Sequence, residues 1–199
     1  MSNDQQKKFG ADGEDDVRAA LRALSGQQIS GFFRTENLVC AGRQVQLDFL
    51  VLVPHIGLLV IEVKTWKGRI YISGQDKWKR ELPNCINHFG NGALQAVRAS
   101  GLVLQMLEQE RCNHWPIRSL VIFPSEKTEL LFVNNEHPQA DVIYLHQLSG
   151  WINKNLNTHW SKSFSAQDFS KIKSVLFKVV LLLAPIGKKL LISKRQLYI

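Results

Sequence analysis

A mixed α/β fold, with one sheet flanked by helices, is predicted by three observations. Apolar residues recur at helical spacing in 9–24 and in 93–109. Between these segments lie two apolar runs of strand length, 45–53 and 58–64. A further buried-type strand, 117–123, follows the second helix. Helix, strands, helix, strand is the order of layers packed around a mixed sheet.

Each element has a local reason. In 9–24, Val17, Ala20, Leu21 and Leu24 share one helix face. Residues 29–35 read as a short strand. The strands 45–53 and 58–64 are joined by Pro54-His55-Ile56-Gly57. Residues 69–73 and 77–81 read as a hairpin around Gly74-Gln75-Asp76. The stretch 82–92 is rich in Asn and Gly and reads as a loop. In 93–109, Leu94, Val97, Leu104 and Leu107 are expected on the inner face. Pro124 ends the strand 117–123. Weaker strands are expected at 130–133 and 141–144, and a short helix at 146–155. No internal repeat is present. The expected division is a core domain, 1–160, and a helical, basic C-terminal extension, 161–199.

Composition narrows the class. At 199 residues and 45% hydrophobic, the chain can bury a core without staples. Its three cysteines, Cys40, Cys85 and Cys112, have neither metal-ligand nor redox spacing. The polar start, Met1 to Lys8, has no signal-peptide core. Both features lead to a cytoplasmic expectation. Six histidines show no zinc-type pairing, and no glycine-rich phosphate loop or nucleophile elbow occurs. No small-molecule organic cofactor is expected.

The chemistry concentrates in two strands. Asp48 lies in the apolar run Gln46-Leu47-Asp48-Phe49-Leu50-Val51, where an acid without a partner is costly to bury. Fourteen residues on, Ile61-Glu62-Val63-Lys64 closes the next run. Strand side chains alternate, so Glu62 and Lys64 share a face and Val63 points the other way. Neighbouring strands would gather Asp48, Glu62 and Lys64. Two carboxylates suit a hard cation such as Mg²⁺ or Mn²⁺, and an adjacent ammonium suits phosphodiester hydrolysis. The plain alternative is two strands with polar residues at their solvated ends.

The formal charge of +8 is uneven. Residues 171–199 hold seven Lys/Arg and no acids; taking those seven from 25 leaves 18 basic residues against 17 acids. From Glu62 to Arg80 the balance is again basic, through Lys64, Lys67, Arg69, Lys77, Lys79 and Arg80 against Glu62 and Asp76. Trp66, Tyr71 and Trp78 lie among them. Basic groups interleaved with aromatics suit phosphates and base stacking. A solvated edge strand with lysine gatekeepers is the competing reading.

Four segments carry a family resemblance. Gly13-Glu14 lies in the first helix. Gln46-Leu47-Asp48-Phe49 forms a strand motif. Gly57 to Lys64, followed by Gly68, forms a hairpin motif. Asn91-Gly92-Ala93-Leu94-Gln95 starts the second helix. In order and spacing these resemble the NERD domain, the nuclease-related domain of the PD-(D/E)xK nuclease superfamily, over roughly residues 9–147. Phe49 stands where the family has histidine, and Gly92 where it has proline. The resemblance implies a restriction-endonuclease-like mixed sheet and a Mg²⁺- or Mn²⁺-dependent nuclease. It implies Asp48 and Glu62 as metal ligands, with the Val63 carbonyl as a third. Lys64 becomes the catalytic lysine, Glu14 approaches the metal from the first helix, and Gln95 orients the lysine, water or phosphate. DNA is the expected partner, with RNA as the alternative. The rival reading is a non-catalytic nucleic-acid-binding or adaptor module of the same fold.

The resemblance does not reach the C-terminus. Ser165-Ala166-Gln167-Asp168 has the form of a capping box with Asp in place of Glu. Ile172, Val175, Leu176, Val179, Val180 and Leu183 follow at helical spacing. Val179 to Gly187 is too short to span a bilayer, which takes about 20 residues. Three readings stand: a helix docked on the core, a basic segment for a membrane surface or nucleic acid, and an interaction helix for a protein partner or second copy.

Overall fold

The computed structural model describes residues 3–34, 38–40, 43–112, 114–156, 163–182 and 197–198. In chain order the elements are α1 (Asn3–Leu24), β1 (Gly31–Arg34), β2 (Leu38–Cys40), β3 (Arg43–Val45), β4 (Phe49–Val53) and β5 (Gly57–Val63). Next come β6 (Gly68–Ile72), β7 (Lys77–Leu82), β8 (Cys85–Gly90), α2 (Gly92–Gln109) and β9 (Ile117–Phe123). The rest are β10 (Thr128–Phe132), β11 (Asp141–Tyr144), α3 (Leu148–Lys154), α4 (Ala166–Leu182) and β12 (Leu197–Tyr198).

The fold is mixed α/β, as the element order predicts. The larger sheet runs β11-β9-β5-β4-β1-β12, parallel among β11, β9 and β5 and antiparallel elsewhere. Every residue of β4 and β5 is buried, because helices cover both sides. One face packs Leu50, Leu52, Leu58 and Val60 under α2 and α4. The other packs Phe49, Val51, Leu59 and Ile61 against Val17 and Leu21 of α1 and Leu148 and Ile152 of α3. At Gly57, φ is +110°, and a Cβ would meet the Pro116 carbonyl at 2.2 Å. Only glycine lets β5 begin so close to the start of β9. A smaller sheet, β10-β6-β7-β8, lies beside the first.

Four expectations need correction. Residues 45–53 are not one strand. β3 pairs with β2, and the β4–β5 ladder begins at Phe49↔Ile61. The intervening Asp48 takes the Val63 N–H on its carboxylate, so that amide is not available to a strand carbonyl. Residues 82–92 are not a loop throughout, because β8 returns on β7 from Leu82↔Cys85 to Lys77↔Gly90 after the two-residue turn Pro83-Asn84. Its half-buried Asn87 and Phe89 alternate with exposed Ile86 and His88. The inner face of α2 is Ala93, Ala96, Ala99, Leu102, Val103, Met106 and Leu107, while Val97 and Leu104 are each 38% exposed. Small alanines let the helix approach the sheet more closely than its larger residues would. α1 begins at Asn3, earlier than the apolar spacing indicates.

The described part of the C-terminal segment docks on the core. Ser165 and Asp168 cap α4 reciprocally: the Ser165 N–H donates to Asp168 Oδ2 at 2.8 Å, and the Asp168 N–H donates to Ser165 Oγ at 3.1 Å. Ile172, Val175 and Leu176 are buried in the cluster that holds Leu102, Val103 and Met106 of α2. The side chains of Val179 and Val180, and the basic run 188–195, lie outside the described residues. Among the described residues, no helix is long and apolar enough to cross a membrane.

Candidate active site

Asp48 and Glu62 meet where β4 begins and β5 ends. Both carry the parity of the α2-facing residues Leu50 and Val60, so their carboxylates lie on one side of the sheet. Asp48 is 5% exposed and Glu62 8%. The Val63 N–H donates to Asp48 Oδ2 at 2.7 Å, and Gln46 Nε2 donates to Asp48 Oδ1 at 3.3 Å. These bonds fix the plane of the Asp48 carboxylate.

Lys64 reaches this pair just beyond β5. Its Nζ donates to Glu62 Oε1 at 2.6 Å and to Gln95 Oε1 at 2.5 Å. Gln95 lies in the first turn of α2, whose start is set by Asn91. The Asn91 side chain accepts from Ala93 N (2.7 Å) and Leu94 N (3.1 Å), an N-cap. Its Nδ2 donates to the Gln75 carbonyl and to Gln139 Oε1. Asn91 therefore ties α2 to the smaller sheet and sets where Gln95 points. At Gly92 a Cβ would sit 3.1 Å from the Trp78 ring and 3.2 Å from Lys64 Cε. The missing side chain leaves room for the lysine stem.

Glu14 comes from α1. A Cβ at the preceding Gly13 would lie 2.2 Å from Thr65 Cγ2, so glycine brings the helix onto the end of β5. Glu14 Oε2 accepts from Arg34 Nη2 at 2.5 Å, an ion pair that is about one quarter exposed. Arg34 is a residue that sequence reasoning missed. No motif marks it, because its partner is twenty positions away and on another element.

The electrostatics are those of crowded acids. Burial, then the negative field of Glu62, pushes the Asp48 carboxyl from 3.8 up to about 6, against the Val63 N–H and Lys64. Glu14 is also raised, first by burial and then by Asp48, with Arg34 opposing. A cation between Asp48 and Glu62 would relieve that repulsion. Among the described residues, no three His, Cys, Asp or Glu side chains form one metal-holding group. Asp48 and Glu62 are the two buried carboxylates at hand, hard oxygen donors of the kind that Mg²⁺ or Mn²⁺ takes together with water and phosphate.

Four of the five basic residues lie on the smaller sheet and divide between its two faces. Arg69 is exposed and held by Glu129 at 2.8 Å and Glu81 at 3.8 Å. Lys79 lies over the Tyr71 ring, 3.6 Å from its centroid, on that same outward face, and Lys77 shares its parity. Arg80 has the opposite parity, that of the buried Trp78, and its Nε donates to the Lys67 carbonyl at 2.7 Å. The Lys67 side chain is exposed. The structure thus brings Asp48, Glu62, Lys64 and Gln95 together, leaves Glu14 within the field of Asp48 but paired to Arg34, and sets Arg80, of the four basic residues on the smaller sheet, on the site's side. Phe89, on the unforeseen strand β8, stands beside Trp66 with ring centroids 5.0 Å apart.

An acid pair and a lysine at the end of two central strands, backed by a helix on each face, are features of a nuclease-type class. The family model described as the nuclease-related domain, NERD, matches residues 9–124, and the chain belongs to that family. Among solved structures, the small subunit (R.BspD6I2) of the heterodimeric restriction endonuclease R.BspD6I is similar at 13% identity. That match has a TM-score of 0.31 and covers 84% of this chain and 77% of that one. No curated protein matches the chain.

Proposed function

We propose that the protein is a metal-dependent nuclease that hydrolyses phosphodiester bonds in DNA. The observation that carries this reading is the Lys64 ammonium, bonded to both Glu62 and Gln95 beside the buried Asp48. Asp48, Glu62 and the Val63 carbonyl would hold Mg²⁺ or Mn²⁺. When bound, the ion would lower the pKa of a coordinated water and offset charge on the phosphate. Glu62 and Gln95 occupy two of the three Lys64 protons, and the third is available to a water or phosphoryl oxygen. Gln95 positions the ammonium, and Arg34 opposes the rise that burial and Asp48 impose on the Glu14 carboxyl. Arg80, on the site's side of the smaller sheet, and the exposed Lys67, whose carbonyl it holds, would supply phosphate contacts beside the site. An odd count of three cysteines suits a reducing compartment, so the setting proposed is the cytoplasm.

The test is incubation of linear, circular and single-stranded DNA, and of RNA, with Mg²⁺, Mn²⁺ or EDTA. Cutting of DNA that EDTA abolishes is the expected result. Salt-sensitive DNA binding without cutting under any metal would support a non-catalytic binding module instead. Cutting of RNA alone would move the substrate.

A further inference from the structure

We infer that Trp66, Phe89 and Arg80 form a stacking shelf beside Lys64. It takes an unpaired base next to the phosphate to be cut, and so favours single-stranded DNA over duplex. This rests on the nuclease reading and adds the form of the substrate. On β7, Trp78 and Arg80 share the site-facing side, and their cross-strand partners Phe89 and Asn87 share it too. Trp66 is locked in place by edge-on contacts with Trp78 and Phe123, at 90° and 69°. Its ring lies tilted at 31° to Phe89, with centroids 5.0 Å apart. The Arg80 guanidinium stands 5.7 Å from the Phe89 centroid, and Lys64 Nζ stands 5.3 Å from the Trp66 ring. The result is a line of cation, ring, ring, cation that starts at the catalytic lysine.

Two details set this line apart from core packing. Trp66, Phe89 and Arg80 are only half-buried, and β8 is an edge strand. Arg80 also pairs with no carboxylate among the described residues, whereas Arg69 on the opposite face is tied to two. A duplex keeps its base faces stacked inside, whereas a single strand offers them to rings and guanidinium groups while its phosphates meet the cations. A duplex would first have to extrude a base.

The test is equilibrium binding of the full-length protein in EDTA to a labelled twelve-nucleotide oligo-dT and to a twelve-base-pair duplex. The wild type is expected to bind the single strand more tightly. Phe89→Leu, which keeps apolar bulk, is expected to weaken that binding roughly tenfold at unchanged melting temperature, with duplex binding unmoved. Arg80→Gln is expected to weaken single-strand binding and to flatten its salt dependence by about one charge. Duplex binding as tight as single-strand binding would overturn the shelf, as would both variants binding oligo-dT like the wild type. If Phe89→Leu melts early, Arg80→Gln decides alone. Because the readout needs no cleavage, a wild type that never cuts would refute the nuclease reading and leave the shelf standing.

Discussion

Replacing Asp48 with asparagine should stabilise the protein while abolishing its chemistry. The carboxyl is 5% exposed and its pKa is pushed from 3.8 to about 6 by burial and by Glu62. A folded-state value above the unfolded one means that the folded chain binds the proton more tightly. Stability from this group is complete below pH 4 and is lost as the pH rises through about 6. At 1.36 kcal/mol per tenfold change in proton affinity, ionising Asp48 costs the fold up to about 3 kcal/mol at neutral pH. The amide keeps an oxygen for the Val63 N–H and carries no charge to repel Glu62. For a domain of this size, 1–3 kcal/mol corresponds to roughly 3–10 °C in melting temperature. Thermal melts of both proteins at pH 4 and pH 7.5, without metal, provide the assay. The Asp48→Asn advantage should be present at pH 7.5 and nearly absent at pH 4. Excess Mg²⁺ should stabilise the wild type by about 2.7 kcal/mol at a hundredfold over Kd, raising its melting temperature, and leave the variant unmoved. In the wild type, metal affinity should fall as the pH drops below about 6, because the proton competes for the ligand. An Asp48→Asn protein that melts at or below the wild type at pH 7.5 would refute the electrostatic account.

Other substitutions probe the remaining links. Lys64→Met keeps an unbranched side chain but removes the ammonium, and should lower the single-turnover cleavage rate by about 10²- to 10⁴-fold. Gln95→Leu removes one of the two acceptors on Lys64 Nζ and should slow cleavage by about tenfold, with oligonucleotide affinity unchanged. Asn91→Ala loses the α2 cap and the bonds to Gln75 and Gln139, and should cost about 2–3 kcal/mol by urea denaturation. Ile172→Ala should cost about 2–5 kcal/mol if α4 is part of the core, whereas an undocked helix would lose almost nothing.

How much of this was legible depended on the range of the physics. Asp48, Glu62 and Lys64 could be read from strand alternation and from one acid in an apolar run, both local signals. Glu14 and Gln95 come from helices on opposite faces of the sheet, and only the order of family motifs linked them to the strands. The Arg34–Glu14 pair and the Trp66–Phe89 contact are purely tertiary, so no spacing announces them. β8 was hidden because Asn and Gly mark turns, yet cross-strand pairing with β7 outweighs that local preference. The buried face of α2 escaped notice for a related reason. A count of large apolar side chains favours Val97 and Leu104, whereas close packing selected alanines.

The central claim is that Asp48, Glu62 and Lys64 make one metal-dependent catalytic unit. The most direct measurement follows Mn²⁺ binding and DNA cleavage together in the wild type and Glu62→Ala, with circular dichroism confirming that both are folded. The account predicts that Glu62→Ala loses cleavage and Mn²⁺ affinity together. Cleavage by Glu62→Ala at the wild-type rate, or wild-type cleavage that persists in EDTA, would contradict it.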